Sequence, residues 1–375
     1  MKTFALFFSL LFVQFSIFSQ QTINGTIMHD GLQREYMLFV PSAYNTNTAV
    51  PLVFCFHGHG DTAANIMSYT NFHLIADTAN FIVIYPQGTL FQGNSHWNVA
   101  SWSAGSNVDD VGFINSLLDS ISNAYNIDST RVYCTGMSNG GFMSFLLACQ
   151  LSDKIAAIAS VAGSMSMQTQ NACNPLHPTP VLQIHGDADN SIPYNGNTWS
   201  KSINDMLQYW INHNNCNASP TTIAVPDINQ FDGSTAEYII YDGGDNGTTV
   251  EHFKVIGGGH DWPGVWGNMD FKATNEILRF FSKYDINGLI GNAGSGDIKE
   301  NVTQIRIYPN PTNSHVLIKG DFSTPMEFEI VSILGERLMT GIISFNNQKI
   351  DLSYLSPNIY FLKFSCKTFK ILKVD

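Results

Sequence analysis

Seven short, almost continuously apolar runs set the first constraint on this chain. They cover residues 34–40, 51–56, 81–85, 131–135, 155–161, 181–185 and 250–256. Each is too short for a buried helix, and most lack the apolar–polar alternation of a strand with one wet face. Helical periods lie between them. The clearest begins at Asp109 and Asp110 and puts Val111, Ile114, Leu117, Leu118, Ile121 and Tyr125 on one face. Two acids at its start suit the positive end of a helix dipole. Others run over residues 140–149, 198–211 and 271–283. Buried strands separated by helices predict an α/β chain, with a mostly parallel sheet and helices on both faces.

The pattern stops near Ile286. Residues 286–302 are rich in Gly, Asn and Ser and read as a linker. Beyond them, residues 303–375 carry short alternating strands broken by turn residues, which predicts a small all-β sandwich. At the other end, Lys2 precedes an apolar stretch from Phe4 to Phe18 and then Ser19, Gln20 and Gln21. That order predicts a secretory signal peptide over residues 1–20, the alternative being an N-terminal anchor. Residues 21–285 form the α/β domain. No run is long enough for a mature transmembrane helix.

Charge narrows the partners. The 375 residues carry a net charge of −12, and only 13% of them are charged. Residues 3–302 hold 9 Lys and Arg against 24 Asp and Glu, a balance of −15, while residues 303–375 hold 8 against 6, or +2. A body this acidic repels phosphate backbones, so no nucleic-acid partner is expected.

The central chemical signal is Gly136-Met137-Ser138-Asn139-Gly140. The run RVYCT leads into it and GGFMSFLLAC leaves it, a strand–turn–helix context that fits a nucleophile elbow. A serine hydroxyl needs a base and an acid behind it. In α/β-hydrolases they follow in the order acid, then His. The run 181–185 is followed by Asp187 and Asp189, and the run 250–256 by His260 on a Gly-rich loop. Asp189, farther past the strand end, is preferred, with Asp187 as rival. The oxyanion needs two donors. The N–H of Asn139 follows the nucleophile, and the segment His57-Gly58-His59-Gly60 after the run 51–56 supplies the other. The N–H of His59 is preferred, with Gly58 as runner-up. Two His at i, i+2 without further ligands give no metal site. Trp97, Trp102, Trp262 and Trp266 lie on loops near these motifs. Trp102 and Trp262 are candidates for a substrate-binding aromatic platform, rim packing being the alternative. Of six cysteines, Cys173 in a polar loop and Cys216 after a helix are the best candidates for a disulfide, which export permits.

These residues resemble a known group. FHGHGD, DDVGFI, RVYCTGMSNGGFM, AAIASVAG, HGDAD with IPY, and GGGHDWPG occur in the order seen in a secreted esterase family. That family includes polyhydroxybutyrate depolymerases, feruloyl esterases and acetylxylan esterases. The resemblance covers residues 22–284 and implies an α/β-hydrolase fold, with Ser138 as nucleophile, Asp189 as acid and His260 as base. It implies no cofactor, and it adds modest support to a Cys173–Cys216 pairing. The expected function is hydrolysis of a polyester, or of feruloyl or acetyl esters on plant polysaccharides. A serine peptidase of similar fold and an inactive surface-displayed binding protein are the alternatives. IRIYPNPTN, FEIVSILGERL, NIYFLKF and FKILKVD resemble the C-terminal sorting domain of the type IX secretion system of Bacteroidota. That implies a secreted or surface-attached product with the secretion machinery as partner; a carbohydrate-binding β-sandwich is the alternative.

Overall fold

The computed structural model describes residues 21–291, apart from 101, 102 and 104, and residues 306–374, apart from 320–325, 333–336, 345–347 and 365–367. The expected signal peptide and most of the expected linker therefore lie outside the described residues. The chain divides into two compact units, Met1–Gly294 and Ser295–Asp375.

The first unit is built on ten strands: β1 (Gln21–His29), β2 (Leu32–Val40), β3 (Val50–Phe56), β4 (Ile82–Pro86), β7 (Ile127–Met137), β8 (Ala157–Val161), β9 (Val181–Gly186), β10 (Thr221–Val225), β11 (Thr235–Tyr241) and β12 (Val250–Ile256). A separate two-strand ribbon, β5 (Thr89–Phe91) and β6 (Asn94–His96), follows β4. The sheet order is β1-β2-β4-β3-β7-β8-β9-β12-β11-β10. Its six central strands, from β4 to β12, are mutually parallel, and antiparallel strands flank them on both sides. This is the mostly parallel α/β architecture that the alternation of apolar runs predicts, and the α/β-hydrolase fold that the resemblance implies.

Helices α1 (Ala63–Thr70), α2 (Phe72–Ala79), α3 (Asp110–Ala124), α4 (Asn139–Gln150), α5 (Met167–Ala172), α6 (Ile203–His213) and α7 (Ala273–Phe281) cover the sheet. One face packs Phe113, Leu117, Phe142, Phe145, Met206 and Trp210 from α3, α4 and α6 against Leu52, Phe54 and Cys134. The other packs Ile66, Phe72, Ala76, Ile277 and Phe280 from α1, α2 and α7 against Val53, Val83 and Leu182. Successive residues of β3 thus feed opposite cores, which is why its sequence is apolar throughout. Asp109 caps α3, its side chain accepting from the Gly112 N–H at 2.9 Å.

The disulfide differs from expectation. Cys149, on the last turn of α4, is bonded to Cys173, which ends α5, with their Cα atoms 4.8 Å apart. Cys216 is a free, half-buried thiol. The reason lies in α6. Its Tyr209 hydroxyl donates to the Cys173 carbonyl at 2.9 Å, whereas the chain leaving α6 carries Cys216 over to the Thr248 carbonyl. Cys366, the sixth cysteine, lies outside the described residues.

The second unit is all β. Arg306–Tyr308, His315–Lys319 and Gln348–Asp351 form one antiparallel sheet; Arg337–Ile343, Met326–Ser332, Asn358–Phe364 and Thr368–Lys373 form another, in that order. Val316, Ile318 and Ile350 of the first share one apolar core with Ile330, Ile343, Leu362 and Ile371 of the second. Two sheets around a common core make the expected sandwich.

Candidate active site

In a parallel sheet the loops that leave the strands at their C-terminal ends gather along one edge. His57 follows β3, Ser138 follows β7, Asp189 lies three residues past β9, and His260 lies four past β12. The four strands run the same way. The topology alone therefore brings these residues to one edge.

Ser138 sits on the turn between β7 and α4 with φ 54° and ψ −116°. A non-glycine residue at positive φ stores roughly 1–3 kcal/mol of strain and persists only where its surroundings fix it. Here its N–H donates to the Val161 carbonyl at 2.8 Å, and its carbonyl accepts from the Phe142 N–H at 3.1 Å. The turn is pressed against the end of β3. A Cβ on Gly136 would stand 2.5 Å from the Phe56 carbonyl oxygen, and one on Gly140 would collide with the same group. Only glycine fits at either place. The hydroxyl is left at the N-terminal end of α4, where unpaired N–H groups favour negative charge.

His260 Nδ1 lies 2.7 Å from Asp189 Oδ2. The other carboxylate oxygen accepts from the Ser191 N–H at 2.8 Å and the Ile192 N–H at 2.9 Å. Burial raises the Asp189 pKa, but the hydrogen bond and charge of His260, the Ile192 N–H and His185 outweigh it and hold the carboxyl below its ordinary value. Asp187, the rival acid, turns away: its Oδ1 accepts from the Gly257 N–H at 2.8 Å. A second histidine supports the acid's loop. His185 Nε2 is 2.8 Å from the Ile192 carbonyl and 3.4 Å from Asp189 Oδ2, and burial lowers its pKa. No hydrogen bond joins the Ser138 hydroxyl to the His260 ring among the described residues; apo sites often tighten such contacts only around substrate.

The expected oxyanion loop lies against the elbow. A Cβ built on Gly58 would stand 3.6 Å from both the Met137 carbonyl and the Ser138 Cβ. Asn139 contributes more than its backbone. Its side chain accepts from the Trp97 N–H at 2.7 Å and donates to the Trp97 carbonyl at 3.1 Å. The Trp97 indole N–H then donates to the His57 carbonyl at 3.0 Å. Helix α4 and the His57–Gly60 segment are thereby tied through one buried tryptophan. Nothing in the residue spacing alone announces this link.

The tryptophan expectations need correcting. Trp262 is 0% exposed, packs edge-on to Tyr69 and Phe72, and donates its indole N–H to Thr274. Residues on a loop can still be swallowed by the helices beneath them, and α1, α2 and α7 do so here. It belongs to the core and cannot meet a substrate. Trp266, 36% exposed, lies beside His260, its indole N–H donating to the His260 carbonyl at 3.5 Å, and packs on Tyr69 at 4.9 Å between centroids. Trp102 lies outside the described residues.

Residues 34–177 match the family model described as Esterase PHB depolymerase, and residues 306–373 that described as Secretion system C-terminal sorting domain. The chain is 25% identical over 278 residues to a bifunctional acetylxylan esterase/xylanase of Neocallimastix patriciarum, covering 74% of this chain and 37% of that protein. It is 28% identical over 238 residues to feruloyl esterase B of Piromyces equi, covering 60% of this chain and 42% of that one. The chain thus spans about two fifths of the length of these two relatives. Among solved structures, an acetyl xylan esterase from Aspergillus awamori aligns with a TM-score of 0.49 at 17% identity, over 70% of this chain and 99% of that one. The sorting domain marks the chain as secreted or held at the cell surface. Among the described residues no helix is long and apolar enough to cross a membrane.

Proposed function

We propose that this chain, which carries an Esterase PHB depolymerase domain and a C-terminal sorting domain, is a secreted serine carboxylic-ester hydrolase. The observation that carries the reading is the His260–Asp189 pair, set at the same sheet edge as a serine held at positive φ.

In this reading the Ser138 hydroxyl attacks the ester carbonyl and gives its proton to Nε2 of neutral His260. Asp189 fixes the proton of that ring on Nδ1 and stabilises the imidazolium that forms. The N–H groups of Asn139 and His59 receive the oxyanion. The tetrahedral intermediate collapses, His260 returns the proton to the leaving alcohol, and an acyl-Ser138 ester remains. Water, deprotonated by the same ring, cleaves that ester to the free acid and Ser138. The substrates that fit the relatives are feruloyl or acetyl esters on plant polysaccharides, or a polyester of the hydroxybutyrate kind. A body at −15 disfavours strongly anionic polymers.

The test is hydrolysis of p-nitrophenyl acetate, methyl ferulate, acetylated xylan and a short-chain polyhydroxybutyrate suspension by the full chain, beside Ser138→Ala. Turnover of at least one ester, abolished in the variant, supports the reading, and the rate ranking names the substrate group. A folded wild type that is inert on all four overturns it; cleavage of peptide amides by the same sample would then favour a peptidase.

A further inference from the structure

His57 is a buried ring that touches no reacting atom, yet every polar atom on it is engaged. Its Nε2 accepts from the Gly88 N–H at 2.9 Å and lies 3.1 Å from the Gln87 side-chain amide nitrogen. A backbone N–H can only donate, so Nε2 is the bare nitrogen and the proton sits on Nδ1. That N–H donates to the Gly58 carbonyl at 2.7 Å. Burial, opposed by the Gly58 carbonyl, brings the ring's pKa down to about 4, so the neutral form persists. The Trp97 indole N–H donates to the His57 carbonyl at 3.0 Å.

The next peptide joins Gly58 to His59. In a trans peptide the C=O and N–H point in opposite directions. The His57 Nδ1–H at 2.7 Å and, more distantly, the Asp61 N–H at 3.2 Å hold the Gly58 oxygen, which turns the His59 N–H the other way, with the Gly58 backbone seated against Ser138. Among the described residues no hydrogen bond uses the His59 N–H, so it is left free to donate.

We propose that His57 is a positioning residue: its Nδ1–H sets the plane of the Gly58–His59 peptide and so aims the second oxyanion donor. This rests on Ser138 being the nucleophile of an ester hydrolase. It goes beyond that reading by assigning a task to a side chain that neither attacks the ester, donates to the oxyanion nor binds the substrate.

The two nitrogens of the ring can be tested separately. His57→Asn places an amide nitrogen where Nδ1 was, and can still donate to Gly58. His57→Gln places an oxygen where Nε2 was, and can still accept from Gly88 while offering nothing to Gly58. Loss of a whole oxyanion donor costs roughly 100–1,000-fold in kcat. A misaimed donor should cost about 10–100-fold in the Gln variant, with KM within about twofold of wild type, while the Asn variant stays within about fivefold in kcat. A Gln variant as fast as wild type, or an Asn variant that falls as far as Gln, overturns the proposal. Should either variant fail to fold by circular dichroism, ¹⁵N NMR of the wild-type ring decides. The Nδ1–H tautomer, unprotonated from pH 7 to pH 5, is expected; an Nε2–H tautomer, or protonation complete by pH 5, overturns it. An inert wild type refutes the esterase reading and this proposal together. An active wild type, silenced by Ser138→Ala, beside an unaffected Gln variant refutes this proposal alone.

Discussion

Asp189 and His260 stand 71 positions apart in the chain and meet at 2.7 Å, while Asp187, two residues nearer the end of β9, binds the Gly257 N–H and lies 3.5 Å from Lys254 Nζ. The two acids therefore have different work. Asp189→Asn keeps the shape but lets the amide impose the wrong tautomer on His260. It should lower kcat on p-nitrophenyl acetate by roughly 1,000–10,000-fold. Asp187→Asn should change it by less than about tenfold, since it perturbs only the loop that carries His260. Steady-state kinetics of both variants would check this, and the reverse ranking would move the acid's role to Asp187.

Trp262 and Trp266 should separate stability from binding. Trp262→Ala empties a fully buried site and should cost about 3–5 kcal/mol, read from the urea midpoint. Trp266→Ala removes a half-exposed ring and should leave stability within about 1 kcal/mol. Its effect should show instead as a raised KM for an aromatic ester such as methyl ferulate. Equal stability losses in the two would contradict this division.

The Cys149–Cys173 bond closes a separation of 24 residues. A loop of that size stabilises by roughly 3 kcal/mol, mainly by restricting the unfolded chain. In a domain of this size that corresponds to a thermal midpoint about 6–12 °C lower in Cys149→Ser or Cys173→Ser. Cys216→Ser should shift it little. Calorimetry of the three variants, with and without dithiothreitol, distinguishes them; a large drop for Cys216→Ser alone would restore the pairing first expected.

Acid should weaken the fold before any carboxylate is protonated. Burial lowers the pKa of His57 to about 4 and of His252 to about 3, and lowers that of His185. A histidine whose folded pKa is depressed stays neutral where the unfolded chain already binds a proton. Its stabilisation is full above about pH 6.5 and is lost progressively as pH falls toward the folded value. The slope is at most about 1.4 kcal/mol per pH unit for each ring, so pH 5 should cost several kcal/mol relative to pH 7.5. Asp189 works in another window: its folded pKa is also lowered, but for an acid that contribution persists above about pH 4 and fades only below it. Urea midpoints across pH 7.5 to 5 measure the effect, and a flat profile would show that these rings are not held neutral.

How legible all this was depends on how local the governing physics is. The elbow could be read because its constraint is local. Gly136 and Gly140 flank Ser138 within five residues, and both are needed against the same Phe56 carbonyl. The parallel centre could be read because β3, β8 and β9 are buried on both faces and so carry no polar alternation. Edge strands were harder. β10 is mostly exposed and β11 only partly buried, so neither stands out as an apolar run. Helix α6 begins at Ile203, five residues later than its apolar period suggests, because the Ser202 hydroxyl caps the Asp205 N–H. Cys149 escaped notice inside the apolar run of α4, and only the packing of α5 shows where its sulfur goes. The burial of Trp262 is hidden from the sequence for a similar reason: a loop position says nothing of what lies beneath it. The His57–Gly88 and Asn139–Trp97 contacts join residues 31 and 42 apart, a separation at which spacing carries no message.

The placement of Ser138, Asp189 and His260 after three different strands also sets a timetable. β12 enters the sheet beside β9, and only then can the loop carrying His260 reach Asp189. On the proposed reading, a chain with β7 and α4 formed but β12 undocked would hold the strained serine with no base to take its proton. We expect ester cleavage to appear last in refolding, after helix content and tryptophan burial are complete. For an exported chain, that order would keep the serine chemically quiet during transit.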